Sequence, residues 1–127
     1  MLFKKQKMIQ LLKQIRKENS GATLSNYKKI KYPFGYQYSI TENTEENATA
    51  NIYKAYEMIQ ALKGNCGIWY DGGMFYVEES YRADSFNDAM RLACEHNQKT
   101  IYDWRHDRYI ECDPSMTYLK YTNGILS

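Results

Sequence analysis

Residues 66–103, CGIWYDGGMFYVEESYRADSFNDAMRLACEHNQKTIYD, contain the most strongly specified structure in this chain. Two runs in this segment, Ile68–Tyr70 and Met74–Val77, are rich in β-branched and aromatic residues, which suit a pleated and half-buried surface. The Asp-Gly-Gly segment at 71–73 lies between them and supplies the positive φ angles that a tight hairpin needs. The segment therefore predicts an antiparallel β-hairpin.

A helix and a further pair of strands are predicted after the hairpin. Ser85 and Asp88 resemble a capping box in which Asp replaces the usual Glu or Gln, because the Ser85 hydroxyl can accept a hydrogen bond from the Asp88 amide. One apolar face follows at helical spacing: Phe86, Ala89, Met90, Ala93 and Cys94. Asn97 tolerates a positive φ and is predicted to end the helix. Thr100–Tyr102 is then predicted as a short strand, with Arg108–Ile110 as its returning partner.

Residues 2–18 are predicted to form a basic helix that the Asn-Ser-Gly segment at 19–21 ends. Its apolar stripe is narrow and consists of Met8, Leu11, Leu12 and Ile15. Three interpretations stay open: the stripe packs on the domain, it docks on a partner protein or a second copy of the chain, or the helix lies on nucleic acid or a membrane surface. The stripe lacks the Trp or Phe anchors of an interfacial helix, which argues against the membrane.

Two more elements are predicted between this helix and the hairpin. Residues 35–41 read as a half-buried strand whose apolar face consists of Tyr36, Tyr38 and Ile40. A helix is predicted to begin in the acidic segment 42–47, with Asn43 or Thr44 as its N-cap, and to end at Gly64. Its apolar face consists of Ala48, Ile52, Ala55, Ile59 and Leu62.

The predicted fold class is α+β: a single antiparallel sheet with two amphipathic helices on one face and an extra basic N-terminal helix. A length of 127 residues is typical of one hydrophobic core. We divide the chain into a basic N-terminal helix (1–20), an α+β domain (21–113) and a C-terminal tail (114–127). The tail either adds an edge strand or lies over the sheet.

Composition narrows the range of function classes. The three cysteines are odd in number and contain no CxxC motif, and no apolar run has the length of a membrane span. The basic N-terminus lacks the apolar core of a signal peptide, so we expect a cytoplasmic protein with reduced thiols. No P-loop, GxGxxG, HExxH or GxSxG motif is present, so we expect no cofactor and no metal.

Positive charge is concentrated at the N-terminal end. Residues 1–32 contain nine Lys and Arg against one acidic residue, although the whole chain carries a net charge of only +2. The basic end either meets an anionic partner or folds back on the acidic remainder of the chain, and both interpretations stay open. Residues 26–33 are predicted as a basic loop. We favour a hydrated hairpin loop, and the alternative is that its Lys and Tyr residues contact phosphates and stack on bases. The candidate nucleic-acid-binding residues are Lys4, Lys5, Lys7, Lys13, Arg16, Lys17, Lys28, Lys29 and Lys31.

Tyrosine is unusually frequent, with 13 residues against 4 Phe and 2 Trp. A tyrosine ring packs while its hydroxyl stays hydrated, so tyrosines suit interaction surfaces as well as half-exposed strands. We expect the sheet face away from the helices to bind a partner. The candidate partner-binding residues are Tyr36, Tyr38, Trp69, Tyr76 and Trp104.

One polar group of residues could support chemistry. Glu78 follows the hairpin, and Asp103 and His106 bracket the turn between the last two predicted strands. Carboxylates beside a histidine can exchange protons with a ligand or bind a divalent ion. These three residues define the alternative of a small-ligand or metal-dependent enzyme.

Several segments resemble a family of small uncharacterised bacterial and phage proteins, in which a GxWYD…YVD hairpin precedes a helix ending in NQxAI(Y/W/F)D. The matching segments here are GATL (21–24), GY (35–36), GIWYD (67–71), YV (76–77) and NQxxIYD (97–103). Glu78 stands where the family often has Asp, and Thr100 where it often has Ala. The resemblance covers residues 20–111 and implies a phage or mobile-element origin, but it implies no activity.

The leading hypothesis is a non-enzymatic accessory protein of a phage or mobile element. We expect it to bind and modulate a host protein or ribonucleoprotein complex in the host cytoplasm, and an inhibitor of a defence system such as CRISPR–Cas is one candidate. Nucleic-acid binding through the basic N-terminal segment and the small enzyme are the alternatives. The sequence leaves the oligomeric state open.

Overall fold

A computed structural model describes residues 2–40 and 45–126 of the chain. The elements, in chain order, are α1 (Leu2–Glu18), β1 (Gly21–Ser25), β2 (Lys28–Ile30), β3 (Tyr36–Ser39), a short 3-10 helix (Glu45–Asn47), β4 (Ala48–Thr49), α2 (Ile52–Ala61), β5 (Cys66–Asp71), β6 (Met74–Glu78), β7 (Ser80–Ala83), α3 (Phe86–Glu95), β8 (Thr100–Asp103), β9 (Arg108–Glu111) and α4 (Tyr118–Leu126). Contacts divide the chain into two compact units. The first unit comprises residues 1–31 and 43–79, and the second comprises residues 32–42 and 80–127.

The first unit is a five-stranded antiparallel sheet in the order β2-β1-β5-β6-β4. Helices α1 and α2 pack against each other, and their apolar faces cover the sheet face that carries Ile68 and Val77. The core of this unit comprises Met8, Ile9, Leu12, Ile15, Leu24, Ile52, Ala55, Tyr56, Ile59, Cys66, Ile68, Phe75 and Val77. The stripe of the N-terminal helix therefore packs on its own unit, which is the first of the three interpretations of that helix.

The second unit is a four-stranded antiparallel sheet in the order β7-β3-β8-β9. Helix α3 packs on this sheet, and Tyr121 of α4 stacks on Phe86 of α3 with ring centroids 5.2 Å apart. The core of this unit comprises Tyr36, Phe86, Ala89, Met90, Ala93, Ile101, Ile110 and Tyr121.

The α+β class is confirmed, and so are the local predictions around the hairpin. Strands β5 and β6 pair across Gly72 and Gly73, whose φ angles are +57° and +83°. The Ser85 hydroxyl accepts a hydrogen bond from the Asp88 amide at 3.2 Å and caps α3. Asn97 follows the helix with a φ of +55°, as its role as a stop requires.

The prediction of a single sheet covered by two helices on one face is wrong, because the structure contains two sheets. Strand β6 pairs with β5 and β4, whereas β7, which follows after Glu79 alone, pairs with β3. Helix α2 packs on the first sheet and α3 on the second. Each helix has one apolar face and packs with it on one sheet. Helices α2 and α3 therefore belong to two separate hydrophobic cores.

The predicted start of the second helix is also wrong. The Asn51 side chain accepts hydrogen bonds from the amides of Tyr53 and Lys54, at 2.8 and 3.2 Å, so α2 begins at Ile52. Ala48, expected on the helix, lies in β4. The expected caps, Asn43 and Thr44, lie outside the described residues.

Two further segments differ from their sequence interpretation. The tail does not add an edge strand, which was the first of its two expected arrangements, because residues 118–126 form α4. The basic loop at 26–33 contains strand β2, which pairs with β1 across a turn at Asn26 and Tyr27, both with positive φ.

Candidate functional site

The nine basic residues singled out from the sequence all lie in the first unit, and every one is exposed. Six project from α1, because Met8, Leu12 and Ile15 turn the apolar stripe of this helix inward and leave its other positions outward. Two others lie on β2, the edge strand of the sheet, where Lys also discourages pairing with another chain. We call this set the basic surface; it consists of Lys4, Lys5, Lys7, Lys13, Arg16, Lys17, Lys28, Lys29 and Lys31.

Aromatic rings lie beside cations of the basic surface. The Lys4 ammonium is 4.2 Å from the centroid of the Tyr27 ring, and the Lys5 ammonium is 6.0 Å from that of Tyr53. Tyr53 is 58% exposed, so its ring is open to a ligand. Apart from Lys7, the cations of this surface form no ion pair with any acidic group in the described part of the chain. The basic surface thus combines exposed positive charge with one exposed aromatic ring, that of Tyr53.

The five expected partner-binding aromatics do not share one sheet. Trp69 and Tyr76 face each other across β5 and β6 in the first unit, whereas Tyr36, Tyr38 and Trp104 belong to the second. Trp69 is 39% exposed and lies over Gly21, where an added Cβ would approach the indole Cε3 to 2.8 Å. Trp69 and Tyr76 occupy the face opposite Ile68 and Val77, because side chains alternate along a strand.

Within the second unit, the three remaining aromatics have different surroundings. Tyr36 is buried and packs edge-on against Phe86, so it belongs to the core rather than to a surface. Tyr38 is half-buried beside Tyr81. Trp104 is half-buried, and its indole N–H donates to the Gln37 side chain at 3.0 Å.

Asp103 and His106, which the sequence placed in one polar group, are in direct contact in the second unit. Their turn brings His106 Nδ1 within 2.7 Å of Asp103 Oδ2. They line a cavity of about 370 Å³, which we call the Asp103 pocket. The lining residues are Phe34, Gly35, Tyr36, Asp84, Ser85, Phe86, Asn87, Asp103, Arg105, His106 and Tyr118.

The Asp103 carboxylate is 1% exposed and accepts four hydrogen bonds. Its Oδ1 accepts from the amides of Arg105 and His106 at 3.0 and 3.3 Å, and its Oδ2 accepts from His106 Nδ1 and the Tyr121 hydroxyl. Burial alone would raise the pKa of Asp103, but the hydrogen bonds from Tyr121 and His106 bring it below the ordinary value. The pKa of Tyr121 is raised, by burial first and then by its bond to this carboxylate. The pocket therefore contains an ionised, fully engaged carboxylate that orients the imidazole.

Glu78, the third member of the predicted enzyme site, lies in β6 of the first unit, whereas Asp103 and His106 are in the second. No group of three or more His, Cys, Asp and Glu with the geometry of a metal site occurs among the described residues. Sequence reasoning missed Tyr121 and Arg105. The Asp-x-x-His spacing in a turn was the available signal for the pair, but no local pattern connected it to a tyrosine in the tail.

Two of the three cysteine thiols, those of Cys66 and Cys112, have raised pKa values. Burial raises the pKa of the Cys66 thiol to about 12. Burial, with a smaller contribution from Cys94, raises that of Cys112 to about 11. Both thiols are therefore protonated near neutral pH and are poor nucleophiles.

Comparisons of the chain with protein-family models, with curated proteins and with solved structures found no match. Within residues 2–40 and 45–126, no helix combines the length and apolar character needed to cross a membrane.

Proposed function

We propose that the protein is a non-enzymatic binding protein whose basic surface holds nucleic acid, with single strands preferred to duplexes. The observation that carries this proposal is the clustering of nine exposed cations in one unit, with tyrosine rings beside Lys4 and Lys5. Lys and Arg contact phosphates, and aromatic side chains stack on unpaired bases without regard to sequence.

The expected salt dependence follows from counterion release. Each phosphate that a cation neutralises on a single strand lowers the slope of log affinity against log salt by about 0.7. The cations lie on several sides of α1 and on β2, so one strand would reach about six of them, which gives a slope of about −4. Affinity would then fall by roughly 300-fold between about 50 and 200 mM salt.

The test is fluorescence anisotropy of the full chain with a labelled oligothymidine and with a duplex of the same length. The triple variant Lys4→Gln, Lys28→Gln, Lys29→Gln is expected to bind the single strand at least tenfold more weakly. A control with the same loss of charge, Lys54→Gln, Lys99→Gln, Lys120→Gln, is expected to change affinity much less. Equal effects of the two triple variants, or affinity that salt leaves unchanged, would contradict the proposal.

A host protein or ribonucleoprotein complex is the second candidate partner, and Trp69 favours it. This large ring is 39% exposed on the sheet face away from α1 and α2, and exposed Trp is common at the centre of protein interfaces. In this setting the protein is an accessory factor of a phage or mobile element that acts in the host cytoplasm. Capture of a partner that survives nuclease and high salt, and that Trp69→Ser abolishes, would favour this candidate over nucleic-acid binding.

A further inference from the structure

The Asp103 pocket lies in the second unit and takes no part in the proposed nucleic-acid binding. Its volume of about 370 Å³ lies within the range of small-molecule sites. Four of its lining side chains are aromatic: Phe34, Tyr36, Phe86 and Tyr118. Phe34 and Tyr118 are 43% and 47% exposed, so a ligand in the pocket would remove a large apolar area from water.

The charged side chains that line the pocket differ in how many partners they have within the protein. The Asp84 carboxylate pairs with Arg82 at 2.8 Å, and the Asp103 carboxylate accepts four hydrogen bonds from its own unit. Arg105, in contrast, is exposed: its guanidinium lies 6.0 Å from the centroid of the Phe34 ring and forms no ion pair with any acidic group of the described residues. Both acidic groups are therefore already engaged within the protein, and the Arg105 guanidinium is the charged group of the lining that is left for a ligand.

His106 adds a polar ring whose orientation is fixed. Its Nδ1 is bound by Asp103, so the Nε2 atom is the ring nitrogen left to meet a ligand, and the side chain is 38% exposed. When both ring nitrogens carry a proton, Nε2 can donate a hydrogen bond to an anion. Arg105 and His106 are separated by one peptide bond, and both line the same cavity.

We propose that the Asp103 pocket binds a small organic anion that carries a planar ring. Arg105 holds the carboxylate or phosphate group with Nε2 of His106 beside it, and Phe34 and Tyr118 pack against the ring. Asp103 is a positioning residue, because it orients the imidazole without contacting the ligand.

Phenyl phosphate is the probe, and NMR of the full chain is the measurement. The chain contains only two histidines, His96 and His106, so their imidazole signals can be assigned and compared. Phenyl phosphate is expected to shift the His106 signals saturably and to leave those of His96 unchanged. Inorganic phosphate and benzyl alcohol, each of which offers half of the recognised chemistry, are expected to bind at least tenfold more weakly.

Two variants separate the pocket from general attraction of anions. Arg105→Gln removes a charged donor and is expected to weaken phenyl phosphate binding by about 10- to 100-fold. Arg108→Gln removes the same charge from an exposed residue outside the pocket and is expected to leave the affinity unchanged.

The absence of a saturable His106 shift would overturn the proposal, and so would equal shifts of both histidines. Equal affinities in the two arginine variants would overturn it as well. Arg105 is exposed, so its replacement is expected to leave the fold intact, and unchanged amide spectra would verify this. The outcome is independent of the basic surface, since the three cations removed there, Lys4, Lys28 and Lys29, all lie in the first unit.

Discussion

Replacing the Asp103 carboxylate with an amide is expected to destabilise the second unit. Asp103→Asn keeps the shape of the side chain, and its Oδ1 can still accept from the amides of Arg105 and His106. The amide nitrogen, however, takes the place of Oδ2, which accepts from His106 Nδ1 and the Tyr121 hydroxyl. Two donors would then face a third donor in a site that is 1% exposed.

The cost follows from the strength of the two bonds that change. A hydrogen bond to a charged group contributes about 1.5–3 kcal/mol, against about 0.5–1.5 kcal/mol for a neutral one. The Tyr121 hydroxyl can turn and the imidazole can change tautomer, so neutral bonds partly replace the lost ones. The expected loss in the free energy of unfolding is therefore about 2–3 kcal/mol, a large fraction of the stability of a small domain.

Urea denaturation monitored by tryptophan fluorescence can measure this loss in the unit concerned. The chain has two tryptophans, and Trp69→Phe leaves Trp104, which is in the second unit, as the reporter. Asp88→Asn, on the exposed side of α3, is the matched control and should cost about 0.5 kcal/mol or less. If Asp103→Asn cost no more than this control at neutral pH, the account of the carboxylate network would be refuted.

The pH dependence provides a second check on the same residue. The pKa of Asp103 is lower in the folded chain than its ordinary value, so its contribution to stability is fully present above about pH 4. That contribution is lost as the pH falls below this value through the folded-state pKa. The stability difference between the native chain and Asp103→Asn should therefore be constant near neutral pH and shrink in acid.

Three further predictions concern packing and the thiols. Leu12→Ala removes a fully buried side chain from α1 and should lower the free energy of unfolding by about 3 kcal/mol; a loss near zero would mean that α1 does not pack on its unit. Gly64→Ala places a Cβ 2.5 Å from Tyr27 at a φ of +74° and should lower the free energy of unfolding by about 2 kcal/mol. Gly124→Ala, on α4 with no atom within 4 Å of the added Cβ, should raise it by about 0.5–1 kcal/mol. If urea denaturation gave similar changes for the two variants, this contrast would be contradicted. Cys66, whose pKa burial raises to about 12, should react with a disulfide reagent near neutral pH only after unfolding, as mass spectrometry of labelled peptides would show.

The elements that the sequence predicted well depend on interactions between near neighbours. Ser85 caps α3 through an amide three residues away, and Gly72 and Gly73 close a hairpin whose strands are adjacent in the chain. Asn97 ends a helix through its own φ. Such features need no knowledge of the rest of the fold, because the residue type and its immediate neighbours determine them.

The division into two sheets depends on pairing over long distances. Strand β3 pairs with β7, so that Tyr36 lies opposite Ala83, and the alternation of side chains along β3 shows only that one face is buried. Nothing in the local pattern tells which other strand completes the sheet. Tyr36 was wrongly expected on a binding surface for the same reason. The sequence showed that Tyr36 and Tyr38 share one face of the strand, but it did not show that α3 covers Tyr36.

The candidate site contains both contacts that the sequence could predict and contacts that it could not. Asp103 and His106 meet because they are three residues apart in a turn, and the sequence could place them together. The sequence did not show that Glu78 belongs to a different unit from Asp103 and His106, so it was grouped with them. Tyr121 completes the carboxylate network from α4, a helix that Thr117 caps by accepting from the Lys120 amide at 3.3 Å but that was not predicted from the sequence.

The charge of the first unit bears on the two interpretations that the sequence left open. Had the basic end folded back to neutralise itself, its cations would have carboxylate partners, as Lys54 of α2 has in Glu57 at 3.7 Å. Lys4 and Lys5 instead lie against tyrosine rings, and the cations of β2 extend from a sheet edge into solvent. Like charges held on one short helix and one edge strand repel each other, and this repulsion lowers the stability of the unit. If the proposed function holds, a bound nucleic acid removes this repulsion and stacks its bases on the exposed ring of Tyr53. The arrangement that weakens the free protein would then favour the proposed complex.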